Sequence, residues 1–154
     1  MPAAQHDPRS RIVVGVDGSP SSREALQWAV RQAGLTGSTV DAVIAWHYPL
    51  TTDGFGMAPV TVDGVGLEES AAKTLADAVA GLTDPPGPGV TINQLVIEGN
   101  TVQVLLDTAT AADLLVVGSR GHGGFTAALL GSVSLNCVHH ASCPVVIVRE
   151  HKHS

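Results

Sequence analysis

Unbroken apolar runs alternate in this chain with segments whose apolar residues recur every three or four positions. Ile12, Val13, Val14 and Val16 make the first run, interrupted only by Gly15. Leu114, Leu115, Val116 and Val117 make a second, and Val145, Val146, Ile147 and Val148 a third. Such runs predict strands buried on both faces, as in a parallel sheet. The first strand should cover residues 11–17 and end in the turn Asp17, Gly18, Ser19, Pro20. Ser19 suits a helix N-cap and Pro20 the first helical position. Leu26, Ala29, Val30 and Ala33 then share one face of a helix that Gly34 and Gly37 end. Residues 39–46 read as a second strand, and Asp41 near its start places that end near solvent.

The stretch 50–66 is rich in Gly, Thr and Pro and has no period. It is either a lid or a disordered insertion. Leu67, Ala71, Leu75, Ala78, Val79 and Leu82 form a helical stripe, and the prolines and glycines of 84–89 break it. Residues 90–97 form a strand with several polar positions, which suits a sheet edge. Asn100 or Thr101 caps the next helix, whose apolar face is Val102, Leu105, Leu106 and Ala109. A last helix over 132–141 leads to Pro144 and the final strand. Strands alternating with helices predict a parallel α/β sheet with right-handed crossovers. The 154 residues suffice for one domain with a sizeable core.

The candidate chemistry lies in residues 116–134. Gly118, Gly121, Gly123 and Gly124 free the backbone to bend after a buried strand. A turn of this kind can aim successive N–H groups at one anion. Gly131, Ser132, Val133 and Ser134 open a helix whose unpaired amides and positive dipole end favour a phosphate. The glycines alone could be turn punctuation. The segment is not a P-loop, because no Gly-Lys-Ser/Thr follows, and it lacks the G-x-G-x-x-G spacing of dinucleotide sites.

The wider pattern Gly118-x2-Gly121-x9-Gly131-Ser132 resembles the ATP-binding signature of the universal stress protein family. Residues 12–19 resemble that family's first strand and turn, residues 112–124 its fourth strand and loop, and residues 143–149 its last strand. The resemblance covers nearly the whole chain and is weakest over 49–66 and the first ten residues. It implies a single-domain open five-stranded parallel sheet of order 3-2-1-4-5, with helices on both faces, of the adenine-nucleotide α-hydrolase-like kind. Residues 1–10 would be a flexible tail and 11–150 the family domain. In that order the chain reverses direction between strands 1 and 4, where open α/β sheets bind ligands. Asp17 and Gly118 would both stand at the mouth of that crevice.

The resemblance implies an adenine nucleotide, ATP, as ligand. Phosphates should meet the backbone amides of Ser119, Arg120, Gly121, His122, Gly123 and Gly124, together with Ser132. Val117, Val133 and Ser134 flank them. Arg120 either adds charge there or is an exposed loop residue, and His122 either donates to an oxygen or is solvated. Gly15, Val16, Asp17 and Trp46 would form the base and ribose side. Trp46 could stack on the base or narrow the pocket. Asp17 either caps backbone N–H groups, or orients the ribose and helps a bound Mg²⁺.

Composition narrows the function. Hydrophobic residues are 44% and charged ones 14%, as in folded chains. A net charge of −6 with no basic stripe argues against nucleic acid. No signal sequence and no membrane-length apolar run is present, so a cytoplasmic location is the expectation. Cys137, His139, His140 and Cys143 are spaced so that neighbours on a helix point apart, which disfavours a zinc site. No Walker lysine, catalytic triad or paired carboxylate is visible. The expectation from these residues is binding rather than catalysis, and the resemblance implies a nucleotide-dependent regulator of stress or dormancy. The alternatives are a slow ATPase, an adenylating or flavin-using α/β enzyme, a cyclic AMP binder, and a nucleotide-free interaction module. The apolar final strand, at a sheet edge, predicts a homodimer.

Overall fold

The alternation of apolar runs and helical stripes is realised as a five-stranded parallel sheet of order β3-β2-β1-β4-β5. The computed structural model describes residues 10–48, 64–83, 89–120 and 130–150. Its elements are β1 (Arg11–Gly15), α1 (Pro20–Thr36), β2 (Thr39–Trp46), α2 (Gly64–Ala80), β3 (Ile92–Glu98), α3 (Thr101–Thr108), β4 (Leu114–Gly118), α4 (Ser132–His140) and β5 (Val145–Val148). A short 3-10 turn, Ala109–Ala111, extends α3. The expected tail lies outside the described residues, apart from Ser10. That residue is joined to the sheet, because its carbonyl accepts the Thr39 N–H at 2.9 Å.

The period of two along each strand divides the core into two layers. Ile12, Val14, Val40, Ala42, Ile44 and Val116 pack with Leu26, Ala29 and Leu75, on the side of α1 and α2. Val13, Val43, Leu115 and Val117 pack with Val104, Leu105 and Cys137, on the side of α3 and α4. The central strands β1 and β4 are therefore buried on both faces. The more polar β3 lies at an edge, as its composition requires.

Helix boundaries follow their caps. Ser19 accepts the Ser22 N–H at 3.3 Å and Pro20 occupies the first helical turn. The helix runs through Gly34 and ends at Gly37, later than the sequence suggests. One interior glycine costs about 1 kcal/mol, too little to stop a helix with a buried face. Helix α2 begins at Gly64, inside the stretch expected to lack period. The rest of that stretch, residues 50–63, lies outside the described residues. Asn100 accepts the Gln103 N–H at 3.1 Å and caps α3.

Asp41 departs from its expected place near solvent. It is 8% exposed. Arg11 Nη1 donates to Asp41 Oδ2 at 2.8 Å and Asn93 Nδ2 to Oδ1 at 2.9 Å. A carboxylate with both oxygens satisfied and a cation alongside can sit inside a sheet, which an isolated one cannot.

Cys137 is fully buried, whereas His139 and His140 are exposed. Burial, with a smaller contribution from Cys143, pushes the Cys137 thiol up from 9.0 to about 11. The unfolded thiol therefore ionises first. The stabilisation from the neutral buried thiol is complete below pH 9 and is lost between pH 9 and about 11. Iodoacetamide at pH 8 is expected to label the half-buried Cys143 first and Cys137 only in urea. Equal native labelling rates would contradict this burial. Among the described residues, no helix is long and apolar enough to cross a membrane.

Candidate functional site

Strands β1 and β4 are hydrogen-bonded neighbours in the centre of the sheet. The chain leaves β1 into α1 on one face, and after β4 it enters α4 on the other. Connections that depart in opposite directions leave a crevice at the carboxyl ends of the strands. A cavity of about 300 Å³ occupies that place. Its volume is at the lower end of the range for small-molecule sites.

One end of the crevice is apolar. Val43 and Ala45 of β2, Gly15 of β1, Val117 of β4, and Thr101 and Leu105 of α3 line it, on the α3 side of the sheet. A side chain at Gly15 would intrude there, since its Cβ would stand 3.1 Å from Leu105 Cδ1. The other end is built from Val16, Asp17, Ser22, Gly118, Gly131, Ser132, Val133 and Ser134. Gly131 is the N-cap of α4 and brings no capping side chain. The first intrahelical bond is Leu135 N–H to Gly131 O, at 3.0 Å. The amides of Ser132, Val133 and Ser134 therefore have no acceptor within the helix. They carry the positive end of the α4 dipole into the crevice.

Residues 118–120, at the end of β4, are held by close packing on α1. A Cβ on Gly118 would lie 2.5 Å from Ser21 Oγ, 2.7 Å from Ser21 C and 2.8 Å from Ser22 N. Only a residue without a side chain lets the strand end approach the helix so closely. The Arg120 carbonyl accepts the hydroxyl of Ser21, and also that of Ser19 at 3.4 Å. Ser134 Oγ donates to the carbonyls of Gly131 and Ser119 at 3.0 and 3.3 Å.

Three expected roles change on this geometry. The Ser119 amide donates to Val148 O at 2.8 Å and the Arg120 amide to Ser21 Oγ at 3.3 Å. Both are engaged by the protein itself, so they do not offer donors to a phosphate. Trp46 does not line the crevice. Alternation along β2 sends Val43 and Ala45 to the crevice face, and Ile44 and Trp46 to the α1/α2 face. There the indole ring meets Tyr48 edge-on at 5.7 Å, and its Nε1 is buried without a hydrogen-bond partner. Gly121, His122, Gly123 and Gly124 lie outside the described residues.

Asp17 performs the capping role. Its Oδ1 accepts the Ser19 N–H at 2.9 Å and holds the turn in which Gly18 takes φ 85°. It is the one carboxylate among the described lining residues. A single carboxylate suits a magnesium ion carried in by phosphates rather than a metal centre of the protein's own.

The sequence model of the Universal stress protein family matches residues 8–149. The chain belongs to the universal stress protein family. A universal stress protein of Mycolicibacterium smegmatis is 36% identical over 146 residues, covering 95% of this chain and 48% of that protein. The chain spans about half the length of the curated relatives it matches. A universal stress protein solved in complex with cAMP superposes with a TM-score of 0.65 and 26% identity, covering 92% of this chain and 98% of that one. A universal stress protein family protein from Arabidopsis thaliana, solved with AMP bound, shares the fold at a TM-score of 0.54 and 22% identity, covering 92% of each chain.

Sequence reasoning missed Ser22, Val43, Ala45, Thr101 and Leu105. The alternation within β2 and the four-residue spacing of Thr101 and Leu105 were the signals that could have found the last four.

Proposed function

We propose that this universal stress protein binds ATP in the β1/β4 crevice and acts as a nucleotide-dependent regulator of a stress or dormancy response. The observation that carries the reading is the division of one crevice into an apolar slot and a set of helix N-terminal amides. A purine is flat and apolar on its faces, and the slot between Val43, Ala45 and Leu105 suits it. The phosphates then reach Ser132 and Val133 at the start of α4. Relatives solved with cAMP and with AMP support an adenine nucleotide as the ligand class.

We assign the crevice a binding role, because the sequence carries no Walker lysine and no Ser-His-Asp motif to supply phosphoryl-transfer or hydrolytic chemistry. Where Mg²⁺ accompanies the nucleotide, it supplies charge neutralisation between the phosphates, and Asp17 is the residue that would face it.

The assembly we propose is a homodimer through β5. That strand is a half-buried apolar edge, and α4 beside it exposes Leu135 and Val138, 45% and 48% accessible. Calorimetry should detect one ATP site per chain, with cAMP and AMP as competitors. Sedimentation should give twice the chain mass. Absence of heat with every adenine nucleotide would overturn the binding reading, and a monomer at micromolar concentration the assembly.

A further inference from the structure

We infer that Thr101 reads the base, so that its hydroxyl sets which purine the crevice accepts. This rests on the proposed nucleotide site and goes beyond it, since a slot of apolar walls grips any purine. Discrimination between flat rings of one size needs a hydrogen-bonding group at the ring edge. Among the described residues at that end, Val43, Ala45, Leu105 and Val117 offer none in their side chains. Thr101 is the exception.

Its position follows from the start of α3. Asn100 is the N-cap, so Thr101 is the first helical residue. Leu105, one turn later, lines the same crevice, which puts both on one helix face. Asn100 takes the Gln103 amide on its side chain and the Val104 amide on its carbonyl. The Thr101 amide is left without an acceptor inside the helix. One residue thus brings a backbone donor and a hydroxyl that can donate or accept to a half-buried place beside an apolar slot. A purine that presents a ring nitrogen next to an exocyclic amino group, as adenine does, matches that pair: the amide donates to the ring nitrogen and the hydroxyl accepts from the amino group.

The experiment compares ATP with purine riboside triphosphate, which lacks the amino group, on the full chain and on Thr101→Val and Thr101→Ser. Valine keeps the shape and removes the hydroxyl, whereas serine keeps the hydroxyl. The wild-type chain should prefer ATP by about tenfold, as one hydrogen bond at a site shielded from water would give. Thr101→Val should bind the two alike within about twofold, and Thr101→Ser should restore the preference. An unchanged preference in Thr101→Val overturns the assignment to Thr101 while the nucleotide site stands. If neither nucleotide binds the wild-type chain, the proposed function itself fails. Thermal unfolding of the valine variant should match wild type, so a change in preference reads recognition and not folding.

Discussion

Gly118→Ala is expected to lower stability by about 3 kcal/mol, in the upper part of the range for overpacking. The added Cβ would meet the Ser21 carbonyl carbon at 2.7 Å and the Ser22 nitrogen at 2.8 Å, and these are backbone atoms that no rotamer change can move. The end of β4 and the first turn of α1 must separate. That separation also pulls on the Ser21 hydroxyl bond to the Arg120 carbonyl. Gly15→Ala is the natural control. Its Cβ would press on the methyl groups of Leu105 at 3.1 and 3.2 Å, which can shift into the adjoining cavity. Urea denaturation of both variants should show a large loss for position 118 and less than about 1 kcal/mol for position 15. Equal losses would mean that the close approach of β4 to α1 is not what requires glycine.

Ala45→Phe should abolish nucleotide binding, with affinity falling by about a hundredfold or more, equivalent to about 2.7 kcal/mol. Ala45 lies on the crevice face of β2 and lines the cavity with Leu105, so a ring there would occupy the slot we assign to the base. The fold should tolerate the change, because the new ring enters an existing cavity of about 300 Å³ rather than a filled core. Trp46→Phe, one residue away, should leave affinity within about twofold, because Trp46 packs on the α1/α2 face. Titration calorimetry on the two variants separates the faces. Loss of binding in Trp46→Phe with retention in Ala45→Phe would move the base to the opposite side of the sheet.

The sheet was legible because β1 and β4 at its centre are almost wholly apolar, and burial on both faces leaves few polar positions to blur the pattern. The edge position of β3 was legible for the opposite reason, since Asn93, Gln94 and Glu98 can face solvent. Helix ends were less so. Gly34 and Gly37 look alike in sequence, but only Gly37 takes the left-handed conformation that closes α1. The site was half legible. Gly118 and the start of α4 announced themselves through glycines and serines. The apolar wall did not, because Val43, Ala45 and Leu105 have the same composition as core residues, and only the facing of β2 against α3 distinguishes them. Trp46 drew attention as an aromatic ring, yet its register sends it to the other face. Ser119 and Arg120 were read as phosphate donors because a sequence does not show that a backbone amide is already engaged.

In the proposed site one ligand touches both the helix start and the apolar slot. Backbone amide shifts, followed by NMR on the full chain during titration with ATP, report on both. Ser132 and Val133 should move together with Val43, Ala45 and Thr101 along one saturable curve. Inorganic phosphate alone should move only Ser132 and Val133. Shifts absent from both groups, or confined to the α1/α2 face around Trp46, would contradict it.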